Sequence, residues 1–300
     1  MKLLDMVRVL EGKDDLTRRR LTLHFLCLYR FKPILEEYRL RWHRGANILA
    51  AVGNGRDEIL ITTHYDVVRG SPGANDNGSC IAVLIDVFRK LKDHRLKNKV
   101  RLVIFDDEEN GLRGSKAYVK RHGFQNLLGL YNTELVGMGD TVTIWPVTSG
   151  AKDHPALVAL LEAITELGCP YIEAGKLPRF IGDHQTFQDA GFPGAFCLSM
   201  IPGSEIEKIR RYVNSLEETA KNTIPPQEIP LIFRNYHCPE DRSEYLSEEA
   251  LQLMSEVIYR AVVRLDSWDD RVAPDLVSGG NSINFGREGG HHAIPDYSVP

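Results

Sequence analysis

The chain has no CxxC pair, no apolar run long enough to cross a bilayer and no surplus of basic charge. Its five cysteines, Cys27, Cys80, Cys169, Cys197 and Cys238, are odd in number and scattered through 300 residues. A disulfide framework needs regular spacing in a short secreted chain, so free thiols and a cytoplasmic setting are expected. No stretch reaches the about 18 apolar residues of a membrane span. The one export-like feature, Arg18-Arg19-Arg20 followed by LTLHFLCLY, is interrupted by Thr22 and His24 and has no small-residue cleavage site after it. It reads as a helix. Lys and Arg number 37 against 41 Asp and Glu, a net charge of -4, so neither nucleic acid nor membrane is an expected partner. Internal repeats are absent, and no Ser/Pro-rich linker interrupts positions 45 to 270. A single domain over residues 1–270 is expected.

What is present is an alternation of short apolar runs and helical patterns. Residues 15–43 read as mostly helical, with Pro33 breaking or kinking the segment. ANILAAV (46–52) and EILITTH (58–64) read as strands on either side of the turn Gly53-Asn54-Gly55. Ile81, Leu84, Ile85, Phe88 and Leu91 share one face at helical spacing. KVRLVIF (99–105) is a strand, followed by a short helix near 114–122. Segments 127–135 and 141–147 read as extended, 154–167 as helical and 192–200 as a buried strand. Residues 247–265 form a long amphipathic helix with Ser247 as its N-cap. The last 30 residues, 271–300, lack periodicity and are expected to be a disordered tail. Strand–helix alternation of this kind predicts an α/β fold with a mainly parallel sheet covered by helices on both faces. Ligands then bind beyond the carboxyl ends of the strands.

Four segments put chemistry at such ends. His64 and Asp66 close the strand 58–64, and Asp76 follows in the Gly-rich loop GSPGANDNGS; a His whose second nitrogen is held by a carboxylate is a usual metal-ligand arrangement. Asp106, Asp107, Glu108 and Glu109 follow the strand 99–105 directly, an acidic run that repels itself unless solvated or metal-bound. If both glutamates serve one site, one ligates metal and the other handles protons. Glu134, in YNTELVG, ends an apolar stretch where an acid is costly to bury unpaired. His237, in NYHCPED, precedes the last long helix. His24, His43, His94, His122 and His154 lie in helical or charged surroundings and carry no role. The imidazole and carboxylate set suits zinc, and the lack of a thiolate argues against a closed structural site.

The ordered motifs HYD, GANDNGS, EENGLRGS, NTE, GDHQTF and YHCPED resemble the di-zinc aminopeptidase family, the co-catalytic zinc exopeptidases to which glutaminyl cyclases are related. The resemblance runs from about Asn47 to Leu265. It implies a phosphorylase/hydrolase-like three-layer α/β/α sandwich with a mixed, mainly parallel sheet, and two Zn²⁺ ions per chain. His64 and Glu134 would hold one zinc, Glu109 and His237 the other, with Asp76 bridging and the Asp76–Asn77 peptide cis. Glu108 would be the general base acting on a metal-bridging water, and Asp66 the partner of His64. Asp183 and His184 would stand near the site rim, toward substrate. The implied substrate is a peptide with a free N-terminus.

Three departures stand out. Glu134 occupies a position that is usually Asp in these aminopeptidases and can be Glu in related carboxypeptidases, so carboxypeptidase polarity is an alternative. Cys80 replaces a small Gly. The 53 residues from His184 to His237 exceed the family's expected spacing, and the surplus includes a helical segment, 204–222, suited to a lid or subunit contact. The rival readings are a single-zinc glutaminyl cyclase, an acyltransferase, and a non-catalytic binding protein on the same scaffold. Nothing in the sequence sets the oligomeric state.

Overall fold

The computed structural model describes residues 1–40, 42–145, 149–174, 182–218 and 225–268. In chain order the elements are α1 (Leu3–Leu10), α2 (Asp15–Leu28), β1 (Ile34–Leu40), β2 (His43–Val52), β3 (Glu58–His64), α3 (Cys80–Leu91), β4 (Lys99–Phe105), α4 (Arg113–His122), β5 (Leu127–Thr133), β6 (Thr141–Trp145), α5 (Pro155–Glu166), β7 (Tyr171–Glu173), α6 (His184–Asp189), β8 (Ala195–Ile201), α7 (Ile206–Glu218), the single turn α8 (Leu231–Arg234) and α9 (Glu248–Asp266). The expected tail, 271–300, lies outside the described residues. Among those described, no helix is long and apolar enough to cross a membrane.

One eight-stranded mixed sheet runs in the order β1-β2-β4-β3-β5-β8-β6-β7. Its centre, β4-β3-β5-β8, is parallel; β1 and β2 join their neighbours antiparallel, and β6 is antiparallel to β8 and parallel to β7. Strand side chains alternate between faces, and the core divides accordingly. Ile48, Ile59, Ile61, Val100, Leu102 and Ile104 pack beneath α1, α3, α5 and α9. Leu49, Leu60, Val103 and Leu130 point the other way, toward Tyr118 of α4 and Phe187 of α6. The result is the expected three-layer α/β/α arrangement.

Residues 34–40 correct the sequence reading: they form β1, an edge strand paired only with β2. The helix α2 ends at Leu28, before Pro33 is reached, and ILEEYRL buries only Tyr38. An edge strand with one buried side chain lacks the apolar signature that marked the central strands. Strand β4 lies between β2 and β3, so the flanks of Gly53-Asn54-Gly55 do not pair with each other. Ser247 caps α9 as expected, its hydroxyl accepting from the Ala250 N–H at 3.0 Å. In the surplus segment, α7 packs through Ile209, and Tyr212 stacks on Phe233.

Register assembles the site. His64 stands opposite Phe105, so the acidic run begins one residue beyond it. Thr62 stands opposite Asn132, which brings Glu134 level with His64. The chain leaves β3 for β4 on one side and then returns to β5 on the other. That is a switch point, where an open α/β sheet presents its crevice.

Candidate metal centre

At that crevice His64, Asp76 and Glu134 each offer a ligand atom within 4.8 Å of the others, and Asp76, Glu109 and His237 do the same. Asp76 belongs to both groups through different oxygens. Its Oδ1 lies 3.2 Å from His64 Nε2, and its Oδ2 lies 3.2 Å from His237 Nε2. Glu134 Oε2 is 3.4 Å from His64 Nε2, and Glu109 Oε2 is 3.0 Å from His237 Nε2. Glu108 Oε2 is farther, 4.0 Å from His64 Nε2, and Glu108 forms a third such group with His64 and Glu109. All of these except His237 and Glu109 are buried.

The loops are held by hydrogen bonds from distant residues. Gly73, at φ +67°, begins the turn carrying Asp76, and a Cβ there would stand 2.7 Å from Arg18 Nη1. Only glycine fits both the left-handed backbone and that approach. Asp241 accepts the Asn75 N–H at 2.7 Å and the Asp76 N–H at 3.1 Å. Asn75 and Asn77 accept the N–H groups of Gly137 and Leu135, stitching this turn to the segment after Glu134. Asn132 Nδ2 donates to Glu134 Oε1 at 3.0 Å, and Asn77 Nδ2 donates to Oε2. The Asp76–Asn77 peptide is cis.

Asp66 has two roles here. Its Oδ1 lies 3.3 Å from His64 Nδ1. Its two oxygens also accept the N–H groups of Glu108 and Glu109. Arg18, fully buried on α2, donates to Tyr65 O at 2.8 Å and Gly73 O at 2.9 Å. It therefore ties together the segments that carry His64 and Asp76.

Crowded carboxylates shape the electrostatics. Burial alone would depress the His64 imidazole, but Glu134, Glu108, Asp66 and Asp76 hold it well above its ordinary value. Burial and the neighbouring charges of Glu134 and Asp183 push Glu108 well above the usual carboxylate range. Burial and Asp76 raise Glu109 to about 7. Burial would lower His237, yet its contacts with Asp76 and Glu109 raise it to about 9. Burial would also raise Asp76, but His237 and His64 hold it below its ordinary value.

These residues fit a bound cation. Glu109 Oε1 and His237 Nε2 are polar atoms shielded from solvent that make no hydrogen bond, although His237 Nε2 faces two carboxylates at 3.0 and 3.2 Å. An imidazole nitrogen and carboxylate oxygens converging on one point suit a divalent metal once the ring is deprotonated.

Asp183 and His184 are buried, not exposed on a rim. Among the described residues neither Asp183 oxygen has a partner in hydrogen-bond geometry, and burial holds its pKa well above the ordinary value. Among the described residues His184 has no hydrogen-bond partner on either nitrogen, and burial lowers it to about 3, so the ring is neutral. Its Nδ1, Glu134 Oε1 and Asn132 Nδ2 all lie 3.2 Å from where a side chain at Gly182 would begin.

Sequence reasoning missed several neighbours. Arg18 and Asp241 act through backbone atoms far away in sequence and leave no local pattern. His43, assigned no role, sets its Nε2 2.6 Å from Asp107 Oδ2, beside Glu108. Tyr236 stacks on His237 with ring centroids 3.6 Å apart.

A switch-point crevice with two His/carboxylate groups sharing one aspartate is the architecture of a metallopeptidase class. The chain belongs to peptidase family M28, whose profile matches residues 47–262. It is 27% identical over 223 residues to aminopeptidase YwaD of Bacillus subtilis, covering 69% of this chain and 40% of that protein. To leucine aminopeptidase 1 of Trichoderma harzianum it is 26% identical, covering 62% and 51%. The chain thus spans about half the length of these curated relatives. Among solved structures, the fold is similar to BSAP, a zinc aminopeptidase from Bacillus subtilis, with a TM-score of 0.57 and 23% identity over 74% of this chain and 50% of that one. It is also similar to Porphyromonas gingivalis glutaminyl cyclase, with a TM-score of 0.64 and 17% identity over 87% and 96%.

Proposed function

We infer that this chain is a zinc-dependent aminopeptidase that hydrolyses the N-terminal peptide bond of peptides with a free N-terminus. In this reading His64 and Glu134 would hold one zinc ion and Glu109 and His237 a second, with Asp76 offering an oxygen to each group. The observation that carries it is the division of the Asp76 oxygens between the two histidines. The family's aminopeptidases support the reaction class. Five free cysteines fit a reducing, cytoplasmic compartment.

Bound metal supplies a Lewis acid that acidifies water and polarises the scissile carbonyl. The chain's own residues do the rest. Glu108, whose Oε2 stands 4.0 Å from His64 Nε2, accepts the proton of the attacking water at Oε2 and delivers it to the leaving amine. Asp66 fixes the His64 ring through Nδ1 and the Glu108 backbone through its N–H. Glu134, oriented by Asn77 and Asn132, provides the anionic surface that receives the substrate's α-ammonium group.

The test is mass spectrometry of unblocked peptides, some beginning with Gln, after incubation with zinc-loaded protein. Stepwise loss of N-terminal residues, absent on N-acetylated peptides, is expected. Loss of ammonia from Gln peptides alone would identify a cyclase instead, and trimming from the other end a carboxypeptidase.

A further inference from the structure

Beside the edge strand β1, outside the metal centre, lies a cleft of about 560 Å³ lined by Arg19, Glu37, Tyr38, Arg39, Arg44, Gly45, Ala46 and Arg121. Four arginines from α2, the β1–β2 hairpin and α4 thus line this cleft with one acidic residue, Glu37, while the Asp106 carboxylate stands behind Gly45 and Ala46. The protein as a whole is acidic, with a net charge of -4, so this concentration is local. Like charges gathered around a concavity raise its potential and attract a counter-ion.

The groups are differently held. Arg121 is fixed, donating from Nη2 to the Glu37 carbonyl at 2.8 Å and standing 3.2 Å from Glu36 Oε2 through Nη1. Arg19 and Arg44 have no ion pair among the described residues. A planar guanidinium presents paired donors matched to the oxygens of phosphate or carboxylate. Arg121 anchored by Glu36 and the Glu37 carbonyl, Arg19 beside the Tyr65 hydroxyl and Arg44, around a cleft of this volume, make an oxyanion receptor.

We propose that this cleft binds an oxyanion, either a free phosphate group or the carboxylate of a bound peptide, through Arg19, Arg44 and Arg121. Arg19 also lies beside the Tyr65 hydroxyl, adjacent in sequence to His64, and Ala46 N–H donates to Asp106 Oδ2 at 2.8 Å. An occupant therefore rests against residues that continue into the metal-centre loops.

The experiment titrates inorganic phosphate into zinc-loaded protein by calorimetry. It compares the native chain, the double variant Arg19→Ala/Arg44→Ala and a charge-matched control, Arg8→Ala/Arg89→Ala, away from the cleft. Phosphate held at the metal centre is common to all three, so the difference isolates the cleft. The cleft variant should lose a binding component by about tenfold or more, and that component should weaken with salt. A second arm, which rests on the peptidase reading, compares kcat/KM for a tripeptide with a free C-terminus against its C-terminal amide. A phosphate deficit with an unchanged acid-to-amide ratio identifies a free phosphate ligand. A preference for the free acid that disappears in the variant identifies the substrate's own carboxylate. Identical phosphate isotherms and identical ratios in the cleft variant and the control would overturn the proposal.

Discussion

Asp66 accepts the backbone N–H of Glu108 at 3.1 Å, so the residue that orients His64 also sets where the adjacent glutamate begins. One carboxylate therefore couples the end of β3 to the loop after β4. Asp66→Ala should lower metal affinity or turnover by about 10–100-fold, the range for removing such a ligand partner. Zinc titration against a competing chelator, run with steady-state kinetics, checks it. Unchanged values in both would mean the His64 ring is held by the Asp66 backbone carbonyl, 3.1 Å from Nδ1, and not by the carboxylate.

Glu108 stands 4.0 Å from His64, farther than the nearest carboxylates, which suits proton transfer better than ligation. Glu108→Gln keeps the shape and removes the base. Turnover should fall by about 10²–10⁴-fold, while zinc content by elemental analysis stays at the native level. Full activity in this variant would sink the mechanism.

Arg18 is a fully buried guanidinium that satisfies two carbonyls, Tyr65 O and Gly73 O. It lies on α2, before the segment matched by the family profile. Arg18→Met leaves both carbonyls without their donor, at a cost of about 1–3 kcal/mol for each buried group left unsatisfied. Denaturant unfolding of the metal-free protein should show that loss, and zinc affinity should fall with it because the Asp76 turn is loosened.

Glycine at 182 leaves room where His184, Asn132 and Glu134 converge. Gly182→Ala should displace the Glu134 carboxylate and raise KM for peptides, with far-UV circular dichroism unchanged. A KM equal to that of the native chain would show that the amine is bound elsewhere.

Proton and metal compete for the same groups. In the metal-free protein Glu109 is raised to about 7 and His237 to about 9. A raised carboxyl pKa favours the folded state while its proton is bound, and that contribution is lost between about pH 4.5 and 7. A raised imidazole pKa behaves likewise, stabilising fully below about pH 6.5 and losing its effect toward 9. These two groups should thus make the metal-free protein less stable as pH rises from 5 to 9. Metal needs both groups deprotonated, so the rise in Tm on adding zinc should grow over the same interval. A zinc-induced shift that is flat from pH 6 to 9 would exclude Glu109 and His237 as ligands.

The central strands were legible because EILITTH and KVRLVIF are buried on both faces and read as continuous apolar runs. ILEEYRL was not, because an edge strand that buries only Tyr38 carries charges at spacings a helix would also accept. The ligand-bearing motifs were legible for a related reason. Each acid or histidine directly follows an apolar strand or sits in a Gly- or Pro-rich turn, where an uncompensated charge is conspicuous. Arg18, His43 and Asp241 were illegible because their roles arise from pairing across 47 to 166 residues of chain, for which no local spacing exists. Burial of Asp183 and His184 beneath the site likewise depends on α6 packing against the sheet through Phe187.

The most direct test of the two-metal reading is anomalous diffraction at the zinc edge from crystals of the zinc-loaded protein. The account predicts two peaks per chain, one between His64 and Glu134 and one between Glu109 and His237, with the Asp76 carboxylate reaching both. A single peak, or two peaks that leave Asp76 bound to only one of them, would contradict it.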